Sequence, residues 1–119
     1  PLGVGAGSIA MLSVLAESEL QRIVRENSRA LKNYNIEAPS LLKSVALARR
    51  AGYASTRVQG VDGVIAIGVP IRDPDGVPIA AASMAALAKR MTRGRQLELK
   101  DILAGEASSL TERLRGTIE

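Results

Sequence analysis

The sequence predicts an α+β fold in which helices pack on a small antiparallel sheet. Apolar residues recur at helical spacing before residue 52 and again after residue 92, whereas two runs between them have β-strand composition and flank a turn sequence. Segregation of helical and strand segments along a chain is typical of the α+β class. With 119 residues, the chain is long enough for one domain, 1–119, with a core of its own.

Three helices are predicted in the first half of the chain. The first covers Ser8 to Leu15 and the second runs from Leu20 to Leu31, each with apolar residues three or four positions apart. Pro39 suits a first helical position and Gly52 suits a helix end, so the third helix is expected over about 39 to 51.

A β-hairpin follows the helices, and a final helix ends the chain. Two β-rich runs flank the turn sequence Asp73-Pro74-Asp75-Gly76, and a less distinct strand is expected from Tyr53 onward. Thr92 is a candidate N-cap of the last helix. Its apolar residues share one face: Leu99, Leu103, Ala107, Leu110 and Leu114.

One face of the first hairpin strand is unusually bare. Bulky residues occupy the odd positions from 65 to 71, whereas the even positions hold Val64, Ala66, Gly68 and Pro70. With 73–76 as the loop, Ala66 would face Ser83 and Gly68 would face Ala81 across the hairpin. Such a floor either leaves space for a ligand or allows a helix to pack unusually close.

The opening segment GVGAGS has three glycines in alternation before an apolar helix. The spacing of Gly3, Gly5 and Gly7 does not match a dinucleotide fingerprint, and no lysine precedes Ser8 as a P-loop requires. Ser8 as a nucleophile would need a base, and the chain has no histidine. Two interpretations stay open: an anion-binding helix N-terminus, or glycines that allow tight packing on the sheet.

Composition excludes several classes of function. There is no cysteine or histidine, so the commonest metal ligands and proton shuttles are missing, and neither a metal site nor a cofactor is expected. The charge of +4 is spread over 16 basic and 12 acidic residues, with only two aromatic residues, which is typical of a solvated surface rather than a nucleic-acid platform. No apolar run is long enough to span a membrane, so a soluble, cytoplasmic chain without membrane contact is expected.

The ordered segments of the chain resemble a known family. GVGAGSIAMLSVL, LLKSVALARRAGYA, VDGVIAIGVPIRDPDGVPIAAASMAAL and KRMT with a closing helix together resemble the C-terminal effector-binding domain of IclR-type bacterial transcriptional regulators. The resemblance implies a GAF-like effector-binding fold, truncated on its N-terminal side. It also implies a parent protein whose operator DNA is bound by a separate winged helix-turn-helix domain that this chain lacks.

The resemblance also implies a site and partners. Gly5, Ala6, Val64, Ala66 and Ser83 correspond to effector-binding positions, and the effector would be a small organic acid. Ala85 and Thr56 depart from some members, which have a serine and an acidic residue there; this disfavours a ligand rich in hydroxyls. We expect no catalytic residues and a homo-oligomer, a dimer or tetramer. The alternative is an isolated homo-oligomerisation subdomain with a vestigial pocket, and a second rival is an enzyme that uses Ser8.

Overall fold

The computed structural model describes residues 4–58 and 60–118, so Gly3 lies outside the described residues. Helices pack on both faces of one antiparallel sheet, and the predicted α+β class is confirmed. The helices are α1 (Ala6–Ser13), α2 (Glu17–Glu26), α3 (Ser28–Lys32), α4 (Ala38–Ala51) and α5 (Arg93–Ile118). The strands are β1 (Ala54–Arg57), β2 (Val64–Arg72) and β3 (Pro78–Leu87), and a 3₁₀-helix (Ala88–Arg90) follows β3.

The sheet has the order β1-β2-β3 and separates two hydrophobic cores. On one face, α1, α2, α3 and α4 share a core with Ala54 and Ala66. On the other face, Leu99, Leu103 and Ala107 of α5 pack on the bulky odd-numbered residues of β2. The two cores therefore follow the alternation of side chains along β2.

The predicted helices form, with one exception. α4 contains Pro39 in its first turn and ends at Gly52, whose φ is +82°; this confirms both predicted boundaries. At the start of α5, Oγ1 of Thr92 accepts a hydrogen bond from the Arg95 N–H at 3.2 Å, which confirms the N-cap. The predicted second helix is instead split into α2 and α3 at Asn27 (φ −100°, ψ 5°). Nδ2 of Asn27 donates to the Ile23 carbonyl at 2.8 Å, a side-chain bond that competes with regular helix geometry.

The hairpin is confirmed, but its predicted register is wrong by two residues. Ala66 faces Ala85 rather than Ser83, and Gly68 faces Ser83 rather than Ala81. The shift has two sources of one residue each: Arg72 pairs with Pro78 rather than with Val77, and Ile71 pairs with Ala80, so that one further residue of β3 is left over as in a β-bulge. The total shift is two residues, an even number, so the small residues of β2 and β3 still share one face of the sheet.

Asp73 shapes the hairpin turn. Its Oδ1 accepts hydrogen bonds from the N–H groups of Asp75 and Val77, each at 2.9 Å. Gly76 has a φ of +87°, a conformation that glycine adopts without strain. Asp73 therefore stabilises the turn that the sequence predicts at 73–76.

Candidate functional site

A half-open cavity of about 570 Å³ lies on the sheet face that carries α1. Its walls come from the start of α1, the segment between α3 and α4, the first turns of α4, and the strands β1 and β2. The described residues that line it are Val4, Gly5, Ile9, Tyr34, Asn35, Ile36, Ser40, Leu41, Ser44, Thr56, Arg57, Val58 and Ala66. Its volume falls within the usual range for small-molecule sites.

The lining is mainly apolar, with hydroxyl and amide groups and no carboxylate among the described residues. Ser40 and Ser44 stand one turn apart on α4, and the Ser44 hydroxyl donates to the Ser40 carbonyl at 3.2 Å. Thr56 pairs with Ala66 across β1 and β2, whereas Arg57 pairs with Ile65. Because successive side chains of a strand point to opposite faces, the Thr56 side chain lies on the cavity face and that of Arg57 on the α5 face.

Gly5 forms the boundary between the cavity and α1. It is the N-cap residue, with φ +90° and ψ 160°, and no side chain caps the helix. The Gly5 carbonyl accepts the first helical hydrogen bond from the Ile9 N–H at 3.1 Å. The N-terminus of a helix carries a partial positive charge and N–H groups without intrahelical acceptors, so this end of α1 favours an anion.

The bare floor of β2 is largely covered by α1. A Cβ atom at position 68 would lie 2.7 Å from the carbonyl carbon and oxygen of Ala6, and one at position 7 would lie 3.2 Å from Cβ of Ala81. Only glycine at position 68 permits this approach. Of the two interpretations of the bare face, close helix packing holds at Gly68, whereas open space remains beside Ala66, which lines the cavity.

The five predicted effector-binding residues are therefore not all brought together. Gly5 and Ala66 line the cavity. Ala6 is buried in the core, Val64 is paired with Leu87, and Ser83 is exposed on β3 opposite Gly68. None of these last three is among the residues that line the cavity, and whether they contact an effector stays a prediction.

Sequence reasoning missed the part of the cavity wall that comes from α4 and from the segment before it. Asn35 has a φ of +57°, and it brings Tyr34 and Ile36 of the segment between α3 and α4 to the cavity. A signal for part of this wall is present in the sequence, since Ser40 and Ser44 are four residues apart on one helix face beside the buried Leu41. The connection at residues 33–37 has no such periodic signal.

The described residues form neither a metal-binding cluster nor a membrane-spanning helix. Residues 4–58 and 60–118 contain no cluster of three or more acidic side chains arranged to hold a metal ion. Within the same ranges, every helix is too short or too polar to cross a membrane.

Comparisons with known proteins give consistent matches along the chain. A family model described as "Bacterial transcriptional regulator IclR C-terminal" matches residues 1–112. The HTH-type transcriptional repressor AllR of Escherichia coli (strain K12) is 28% identical over 118 residues, which cover 96% of this chain and 43% of that protein. The chain thus spans less than half the length of this curated relative.

The solved structures of two regulators have the same fold as this chain. The Agobacterium tumefaciens repressor BlcR is 25% identical, with a TM-score of 0.79, and the match covers 96% of this chain and 47% of that one. The Thermotoga maritima IclR is 26% identical, with a TM-score of 0.80, and the match covers 95% of this chain and 47% of that one.

Proposed function

This chain belongs to the family of C-terminal domains of IclR-type bacterial transcriptional regulators, and we propose that it binds a small organic acid effector and mediates homo-oligomerisation in such a regulator. The relatives are transcriptional regulators rather than enzymes, which argues against catalysis by Ser8. Operator DNA would be bound by a separate domain of the parent protein, and the site of action would be the cytoplasm.

The cavity beside Gly5 and Ala66 is the observation that supports effector binding. Its described lining combines the N-terminal end of α1 with hydroxyl groups and no carboxylate. A carboxylate would be stabilised at the helix end, and the aliphatic walls would hold an apolar body. We therefore propose a monocarboxylate with an apolar body as the effector class.

Thermal unfolding and calorimetry with a panel of monocarboxylates, led by benzoate, test this proposal. A probe at about 100 times its Kd should stabilise the chain by about 2.7 kcal/mol. Ala66→Leu should abolish this stabilisation because the larger side chain fills the cavity beside β2, whereas Ala46→Leu on the exposed side of α4 should retain it. Equal stabilisation of the parent and Ala66→Leu would place the acid elsewhere.

The β3 edge supports homo-oligomerisation. The sheet order leaves β3 with one neighbour among the described strands, and the segment 77–88 contains no charged residue. Because the Ala88 N–H donates to the Gly63 carbonyl at 2.7 Å, the alternation of an antiparallel ladder turns the N–H and C=O groups of Ser83 and Ala85 away from β2. An uncharged strand with outward-facing polar groups is a template for pairing with another strand.

A further inference from the structure

Arg49 of α4 binds the chain where α1 ends and α2 begins. Its Nε donates to the Ser13 carbonyl at 2.9 Å and its Nη2 donates to the Leu15 carbonyl at 2.8 Å. Its Nη1 donates to Oε2 of Glu17, also at 2.9 Å. All three nitrogens of the guanidinium group are therefore engaged by residues 32 to 36 positions away in the sequence.

These contacts match the electrostatics of both helix ends. The last carbonyls of a helix have no intrahelical partner, and a cation there complements the negative end of the helix dipole. Ser13 is the last residue of α1 and Glu17 the first of α2. The hydrogen bond from Arg49, and to a smaller extent that from Gln21, lowers the pKa of Glu17. The carboxylate is therefore stabilised at the α1–α2 joint, the chain from Ser13 to Glu17.

The position of α1 depends on the core that it shares with α4 and on contacts at its two ends. α1 has eight residues, too few to be stable as an isolated helix. Its first turn rests on Gly68, and the chain at its other end is held by Arg49. Gly5 and Ile9 at the start of α1 and Leu41 and Ser44 of α4 all line the cavity, so Arg49 links two helices that both contribute to its wall.

We infer that Arg49 is a positioning residue for the cavity: through the carbonyls of Ser13 and Leu15 and the carboxylate of Glu17, it holds α1 against α4 at the spacing that a bound acid requires. This inference rests on the proposed effector-binding function. Arg49 does not line the cavity, so its effect on binding would be transmitted through α1.

The matched control is the adjacent residue. Arg50 carries the same charge in the same last turn of α4 and is exposed, and its side chain makes no hydrogen bond or ion pair to the described residues. A second control is Leu103→Ala, which removes packing from the core on the opposite sheet face and lowers stability without touching α1. Together these controls separate positioning from loss of a charge and from loss of stability.

The first readout needs no ligand. We expect Arg49→Ala to shift the backbone amide resonances of Gly5 and Ala6 in ¹H–¹⁵N spectra and to increase hydrogen exchange in α1. Arg50→Ala and Leu103→Ala should leave those two amide resonances in place. Arg49→Lys should shift them as well, because an ammonium group cannot reproduce three hydrogen bonds in a planar fork. If Arg49→Ala gives the same Gly5 and Ala6 resonances as Arg50→Ala, the inference is wrong.

The second readout is the Kd for benzoate. Side chains that act through a packed element change binding by roughly 2- to 30-fold, and we expect a loss in this range for Arg49→Ala. Glu17→Gln should cost less, since it leaves both carbonyl contacts of Arg49 intact. An unchanged Kd for Arg49→Ala would overturn the positioning role and leave the effector site standing. Failure of the parent chain to bind any acid of the panel would count against the proposed function, whereas the amide resonances would still decide the role of Arg49.

Discussion

Gly68 of β2 lies against the backbone of Ala6 so closely that a Cβ atom at position 68 would be 2.7 Å from the Ala6 carbonyl. Real Cβ atoms do not approach backbone atoms this closely, so Gly68→Ala would force α1 off the sheet. Overpacking of this kind costs about 1–3 kcal/mol, and we expect the melting temperature to fall by several degrees.

The control for Gly68→Ala is a glycine with open space. A Cβ at position 105 on the exposed side of α5 would meet no atom within 4 Å outside its own helix, and alanine is favoured over glycine in a helix interior by about 1 kcal/mol. Gly105→Ala should therefore be neutral or stabilising. Equal melting temperatures of the two variants would mean that α1 does not pack on Gly68 in solution.

The charge of the ligand is tested by replacing benzoate with benzamide, which has nearly the same shape. A hydrogen bond to a charged group contributes about 1.5–3 kcal/mol, so the neutral amide should bind roughly 10- to 150-fold more weakly. Titration calorimetry measures both Kd values. Equal affinities would show that the N-terminal end of α1 does not select an anion.

The site seen in the structure and the site implied by the family resemblance differ in which serine hydroxyl would contact the ligand. Ser44 lines the cavity, whereas Ser83 does not. Loss of a hydrogen bond of about 0.5–1.5 kcal/mol should weaken benzoate binding roughly 2- to 10-fold in Ser44→Ala, and Ser83→Ala should bind as the parent does. The reverse result would restore the contact at Ser83 that the family resemblance implies.

The β3 edge is tested by Ser83→Pro. Proline removes one N–H that points away from β2 and is tolerated at sheet edges, so the hairpin should persist while pairing through this edge is lost. Sedimentation velocity at micromolar concentration should show a dimer or larger oligomer for the parent and Ser83→Ala, and a monomer for Ser83→Pro. A monomeric parent would refute homo-oligomerisation, and an oligomeric proline variant would move the contact to another surface.

Glu17 makes the α1–α2 joint sensitive to acid. Its pKa is lowered from the value of 4.5 by the hydrogen bonds from Arg49 and Gln21, so its contribution to stability is complete above pH 4.5 and is lost as the pH falls through the lowered folded pKa. We expect Glu17→Gln to be less stable than the parent near pH 7, with the difference disappearing as the pH falls below the lowered pKa of Glu17. A difference that persists unchanged in acid would mean that the Glu17 carboxylate is not the stabilising group.

The sequence alone determined the elements whose signals are local. Proline and glycine set the boundaries of α4, Thr92 set the start of α5, and the alternation along β2 separated the two cores. The ordered segments also carried the family resemblance that the family model bears out over residues 1–112. The signals for the helix boundaries and for the alternation along β2 each depend on neighbours within a few positions along the chain.

Only the tertiary structure decided how the small residues of β2 are used. Gly68 and Ala66 look alike in the sequence, yet α1 covers the first and leaves the second open to the cavity. The pairing of Arg72 with Pro78 and the irregularity between Ile71 and Arg72 together moved Ser83 two residues away from Ala66, because an extra residue at the turn or in one strand changes every cross-strand pair beyond it. The wall at Asn35 and the bonds of Arg49 join residues distant in sequence, and no local preference of the chain specifies such contacts.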